Sequence, residues 1–186
     1  HTFMASSCGA TGGITPNTFY VRIRAENPCG FLDGSVEPIT TVTRPIANFS
    51  ISPDTIVCVS QTISFTNTSV AGTTVSNQGV CDNQSIFSWT INSITGIPNS
   101  WSIQGQLGVG NTSGSQTIQV QFSSPGIYSI RLVVRNASSS TSNCRSDTIT
   151  KTICVNPIPI ASLTNTTDTI CANSIIDFQG STNQAY

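Results

Sequence analysis

The chain of 186 residues has little charge, because Asp, Glu, Lys and Arg together make up 8% of it, against a usual share of about 25%. Its formal net charge of −1 provides no basic face of the kind that nucleic-acid binding requires. No run of about 18 apolar residues occurs, so the sequence predicts no segment that spans a membrane.

Histidine is as scarce as charge, since the one histidine is His1 at the first position. Nucleophilic catalysis by Ser, Cys or Thr needs a base within reach, and paired-carboxylate hydrolysis needs two acids that face one cleft. The eight acidic residues are scattered along the chain, and no phosphate-binding or dinucleotide-binding fingerprint occurs. The sequence therefore predicts neither an enzymatic active site nor a cofactor.

Cysteine, in contrast, is abundant, with seven residues in a chain that has one methionine. No CxxC pair occurs, so the cysteines favour disulfides over a metal site. Disulfides form in oxidising compartments, which predicts an extracellular location.

Apolar and polar residues alternate in several short segments, the pattern of half-buried antiparallel strands. The clearest segments are 118–122 and 128–134, which the turn sequence Ser-Ser-Pro-Gly separates. Trp89 lies in another such segment and is predicted to be a core residue. No stretch carries the apolar stripe of an amphipathic helix. About seven short strands between polar turns predict an all-β fold in which two sheets pack as a sandwich.

The sequence repeats itself with a period of about 114 residues, the size of one sandwich. Residues 45–49, Pro-Ile-Ala-Asn-Phe, return at 159–163 as Pro-Ile-Ala-Ser-Leu, and residues 19–27 parallel 128–136 more loosely. We therefore predict three modules: residues 1–44 as the C-terminal part of one sandwich, 45–156 as a complete sandwich, and 157–186 as the N-terminal part of a further repeat. Because a cut module cannot bury its core alone, we expect a longer parent chain.

Several strings match known repeat families. Ala-Asn-Phe at 47–49, Thr-Ile-Ser-Phe-Thr-Asn-Thr-Ser at 62–69, Phe-Ser-Trp at 87–89 and Pro-Gly-Ile-Tyr-Ser-Ile-Arg-Leu at 125–132 resemble PKD-type and related Ig-like repeats of bacterial surface proteins. Residues 14–30 resemble the late strands of a fibronectin type III-like module. The mixture is similar to giant cell-surface adhesins of Bacteroidota, of the gliding-motility type that the type IX system secretes.

The resemblance implies a non-catalytic repeat segment of a secreted cell-surface adhesin, which forms a stalk or filament for surface attachment or gliding motility. Its partners would be the neighbouring repeats, together with surface polysaccharide or other surface proteins. The alternative is a carbohydrate-binding or accessory module of a secreted hydrolase. Trp101 follows a polar loop, where an exposed ring would stack on a sugar and a buried ring would pack over a sheet edge.

The four cysteines of the central module allow three pairings. In an Ig-like strand order, Cys81 and Cys144 lie in loops at one pole of the sandwich, whereas Cys58 and Cys154 lie at the other pole. We therefore predict the bonds Cys81–Cys144 and Cys58–Cys154.

The outer modules hold the remaining cysteines. Cys29 is expected to pair with Cys8 or with a cysteine upstream of His1. Cys171 repeats Cys58, and we expect its partner to lie beyond residue 186.

The tripeptide Asp-Thr-Ile occurs three times and contains Thr55, Thr148 and Thr169. It resembles the Asp-Ser/Thr-apolar acceptor motif for O-glycans on exported Bacteroidota proteins. An Asp in a turn leaves the next threonine at the start of a strand, where its hydroxyl can face solvent. The alternative is that Asp-Thr-Ile merely opens a strand, and the repeat itself explains two of the copies.

We predict hexose-type mass on at least one of these threonines in protein purified from its native host, since a sugar there would shield strand edges from other chains. Intact-mass measurement with peptide mapping checks this. Three unmodified threonines would contradict the prediction, and sugar on asparagine would point to a different chemistry.

Overall fold

The computed structural model describes residues 2–11, 15–76, 78–104, 111–113, 116–137, 144–163, 169, 172–173, 175 and 180–182. Nearly all regular structure in these residues is β-strand, which confirms the predicted all-β sandwich class. The strands are β1 (Phe19–Asn27), β2 (Gly30–Ile39), β3 (Phe49–Ser52), β4 (Ile56–Cys58), β5 (Thr62–Asn67), β6 (Thr74–Val75), β7 (Cys81–Asp82), β8 (Ser85–Ser93), β9 (Trp101–Gln104), β10 (Asn111–Ser113), β11 (Thr117–Phe122), β12 (Gly126–Asn136), β13 (Ser146–Asn156), β14 (Ala161–Leu163) and β15 (Gly180–Thr182).

Two sheets form the sandwich. One has the strand order β10-β8-β12-β13-β4, and the other has the order β3-β5-β11-β9. All neighbours are antiparallel except β4, which runs parallel to β13. The chain passes from β3 in one sheet to β4 in the other, so the start of the central module contributes an edge strand to each sheet.

The predicted turn Ser-Ser-Pro-Gly carries the chain from β11 in one sheet to β12 in the other. Gly126 has a φ of +153°, and a Cβ at this position would clash with the carbonyl oxygen of Thr95. Glycine meets both demands, because it adopts positive φ readily and lets another backbone approach closely.

The core lies between the two sheets and is built from the alternating apolar residues. Trp89 is fully buried, as predicted, and meets Phe49 of the opposite sheet edge-to-face at 5.2 Å between ring centroids. Burial of each large apolar side chain contributes about 1.5–3 kcal/mol. The other fully buried large side chains are Phe65, Phe122, Tyr128, Ile63, Ile118, Ile130, Leu132, Ile153, Val120 and Val134.

Lys151 interrupts the apolar face of β13. Its ammonium group donates a hydrogen bond to the carbonyl oxygen of Phe49 and lies 4.8 Å from the centroid of the Phe49 ring. A carbonyl and an aromatic face are both favourable neighbours for a cation. The lysine therefore joins the two sheets at the edge of the core.

The hairpin of β1 and β2 has two different faces. On one face, Arg24 forms an ion pair with Asp33, 2.7 Å from Nε to Oδ1, and covers the ring of Phe31. On the other face, Ile23 and Leu32 are about three-quarters exposed. A two-stranded ribbon is marginally stable by itself, so this hairpin depends on contacts outside its own strands.

We predict that Trp89→Ala lowers the free energy of unfolding by about 3–5 kcal/mol, because it removes a fully buried aromatic side chain. Ile86→Ala on the same strand is the matched control, since Ile86 is 54% exposed. Urea titrations of both variants measure the change. Equal losses in the two variants would contradict the description of the core.

Candidate functional site: the disulfide-linked junction

One disulfide is present among the described residues, and it joins Cys8 to Cys81. The Cα atoms lie 5.8 Å apart, within the usual range for a disulfide. Cys8 precedes the hairpin of β1 and β2, whereas Cys81 opens β7 in the predicted central module. The bond therefore links residues from the predicted first module to the second.

This bond makes two predicted pairings wrong, Cys81–Cys144 and Cys8–Cys29. Cys144 and Cys29 are free, and Cys29 lies in the exposed turn between β1 and β2. The prediction placed Cys81 in a loop at the same pole of the sandwich as Cys144. In the structure β6 pairs with β7 in a small separate hairpin, and this hairpin brings Cys81 to the N-terminal segment.

The predicted pair Cys58–Cys154 is also wrong, because no disulfide joins these two cysteines in the structure. In the parallel register of β4 and β13, Cys154 lies opposite Ile56, and Cys58 lies opposite Asn156. An offset of two residues along neighbouring strands separates Cα atoms by about 8 Å, which exceeds the reach of a disulfide. Cys171 lies outside the described residues.

Hydrogen bonds flank the disulfide. The amide of Thr43 donates to the carbonyl of Thr73 at 2.9 Å, and the amide of Thr73 donates to the Thr43 hydroxyl at 2.8 Å. The side-chain amide of Asn17 donates to the carbonyl of Gly79 at 2.6 Å. The linker between β2 and β3 (residues 40–48) and Asn17, just before β1, are thus held beside the β6–β7 hairpin that carries Cys81.

Two residues let the linker lie close to the sandwich. Asn136 is 3% exposed, and its Nδ2 donates to the carbonyl oxygens of Thr43 at 3.2 Å and Cys144 at 3.1 Å. A Cβ at Gly72 would clash with the Thr43 carbonyl oxygen and the Pro45 nitrogen. The close approach therefore requires glycine at position 72.

Asp147 fixes the end of the linker. Its carboxylate accepts hydrogen bonds from the amide of Ala47 at 2.8 Å and from the guanidinium of Arg44 at 2.9 Å. The Ala47 amide is the largest cause of a lowered pKa for Asp147, and the Thr148 amide and the charge of Arg44 lower it further, against partial burial. The carboxylate is therefore held in its charged form.

Trp101, which the sequence offers either as a sugar contact or as a ring packed over a sheet edge, is 6% exposed. Its ring meets Tyr128 edge-to-face at 6.0 Å between centroids and lies 6.4 Å from Phe122. Of the two alternatives the structure has the packed ring, and a ring packed in the core offers no free face on which a sugar could stack.

The three candidate threonines for O-glycans, Thr55, Thr148 and Thr169, are exposed. Thr55 directly precedes the edge strand β4, and its amide bonds to the carboxylate of Asp54. Exposure permits modification, and the modification itself stays a prediction.

Within the described part of the chain, no group of three His, Cys, Asp or Glu side chains is placed to hold a metal ion. No helix in the same residues reaches the length and apolarity that crossing a membrane requires. A cleft of about 450 Å³ is lined by Thr95, Gly96, Pro125, Gly126, Ile127 and Cys154. Its lining holds few polar side chains, whereas specific ligand sites combine apolar walls with several convergent polar groups.

A comparison of the chain with protein-family models finds no match, and a comparison with curated proteins finds none either. The resemblance to PKD-type and fibronectin type III-like repeats therefore stays a prediction. The module boundaries at 44 and 156 stay predictions as well.

We predict that Asp147→Asn lowers the free energy of unfolding by about 1 kcal/mol at pH 7, since a charged acceptor is lost. A carboxylate whose pKa is lowered by folding stabilises the protein above its unfolded pKa of about 3.9, and this contribution disappears as the pH falls through the folded pKa. The difference from the unmodified chain should therefore shrink below about pH 4.

Urea titrations at pH 7, 5 and 3 measure this difference. Asp54→Asn is the control, because the Asp54 carboxylate bonds its neighbour Thr55 in an exposed turn. An Asp147→Asn effect that is the same at pH 7 and pH 3, or no larger than that of the control, would contradict the role of Asp147.

Proposed function

We propose that the chain is a non-catalytic repeat segment of a secreted bacterial cell-surface adhesin, where it forms part of a stalk or filament for surface attachment or gliding motility. The observation that carries the proposal is the junction. A disulfide and the hydrogen bonds of Thr43 and Asn17 join an N-terminal hairpin to a β-sandwich. A stalk needs such joints, because it must hold successive units in a fixed relation under load.

Two further features support an extracellular setting. A disulfide persists where the surroundings are oxidising. The low charge of the chain leaves a surface of Ser, Thr, Asn, Gln and Gly, which would let many copies lie side by side with little electrostatic repulsion. Neighbouring repeats of the same chain would be the first partners, with surface polysaccharide or other surface proteins as the attachment target.

The alternative, a carbohydrate-binding module of a secreted hydrolase, loses its one named residue, since Trp101 is buried. No other described aromatic side chain was predicted for that role. The stalk proposal is therefore the one that the junction and the core favour.

Labelling of native-host cells with antibodies against the purified chain tests the proposal. We expect label on intact cells, and we expect an in-frame deletion of residues 45–156 to reduce attachment to glass under flow. Permeabilised cells serve as the control for total protein. Label that appears only after permeabilisation would contradict a surface location, and attachment that the deletion leaves unchanged would contradict the role in a stalk or filament.

A further inference from the structure

The Cys8–Cys81 bond closes a covalent loop across 73 positions of the chain. That loop contains the β1–β2 hairpin, the linker and the strands β3, β4, β5 and β6. Tension applied between the two chain ends would pass from Cys8 through the sulfur atoms to Cys81, so none of these elements would lie on the covalent path between the ends.

We infer that the Cys8–Cys81 disulfide is a mechanical bypass, which directs tension around the short strands β3, β4 and β5 of the sandwich and into its three longest strands, β8, β12 and β13. The inference rests on the proposed function only for the source of the tension, since a stalk is pulled at its ends. The path itself follows from the bond and the strand order.

With the bond intact, tension enters the sandwich at Cys81 and reaches β8 at Ser85, which lies opposite Asn136 of β12. It leaves at the end of β13, where Val155 lies opposite Gly126. Both β8 and β13 run antiparallel to β12, so the two points of force lie at opposite ends of this three-stranded unit. The strands must then slide past one another, and their hydrogen bonds share the load.

These three strands are the best suited to carry load. β8 has nine residues, and β12 and β13 have eleven residues each. Their inward side chains include the buried Trp89, Tyr128 and Ile153. Sliding would therefore break long hydrogen-bond ladders and also disrupt the core.

Without the bond, tension would follow the backbone through the linker into β3. This strand has four residues and lies at the edge of its sheet, where it pairs with β5 alone. A short edge strand has few hydrogen bonds to resist a pull. Its removal would expose Phe49, the partner of Trp89 across the core.

The test stretches the full 186-residue chain by its ends in an optical trap. It compares the oxidised chain with a Cys8→Ser/Cys81→Ser variant and with a Cys29→Ser/Cys144→Ser control, whose cysteines are free. We expect the first variant to gain about 240–260 Å of extended length, the span of 73 residues. We also expect it to unfold at lower force at the same loading rate, because unfolding under force is set by the unfolding rate.

The control should match the unmodified chain in extended length and in unfolding force. Adding a phosphine reductant to the folded, unmodified chain should give the same longer extension and lower unfolding force as the Cys8→Ser/Cys81→Ser variant. The test therefore stays valid if that variant does not fold. Equal extended lengths with and without the bond would overturn the bypass. A gain in length with an unchanged unfolding force would also overturn it, since the short strands would then need no protection. Neither the extended length nor the unfolding force depends on where the protein is located. Failure of the proposed function would therefore be seen separately, by cell labelling.

Discussion

The bond between Cys8 and Cys81 joins two units that differ in burial. One is a hairpin with an exposed apolar face, and the other is a sandwich whose apolar faces are buried. Ile23 and Leu32 on the hairpin are largely exposed, whereas Trp89 and Phe49 in the sandwich are fully enclosed. A two-stranded ribbon is only marginally stable by itself in water. Its position relative to the sandwich therefore depends on the disulfide and on the polar contacts beside it.

Those polar contacts show how a charge-poor chain builds a joint. Backbone amides and the side chains of Thr43, Asn17 and Asn136 supply most of the hydrogen bonds, and an ion pair joins Arg44 to Asp147. Each neutral hydrogen bond of this kind contributes about 0.5–1.5 kcal/mol net to stability. Several such hydrogen bonds beside the disulfide define one geometry for the junction. Without the disulfide, the same polar groups would bond to water as readily as to one another.

The sandwich could be predicted from the sequence, because alternation of apolar residues reports directly which side chains face the core. Trp89, Tyr128 and the strands around them follow from that pattern. The pairing of the cysteines could not be predicted in this way. It depends on the two-residue strands β6 and β7, which carry no periodic signal, and on a contact between residues 73 positions apart. Gly72 and Asn136 were missed for the same reason, since their role exists only where the linker touches the sandwich.

Peptide mapping of the intact chain without reduction tests the central claim most directly. Trypsin cuts after Arg22, and chymotrypsin cuts after Phe65, so the peptides separate Cys8 from Cys29 and Cys81 from Cys58. The structure predicts a cross-linked species that contains Cys8 and Cys81 and separates into two peptides on reduction. A cross-link between Cys81 and Cys144, or between Cys8 and Cys29, would contradict the junction and everything inferred from it.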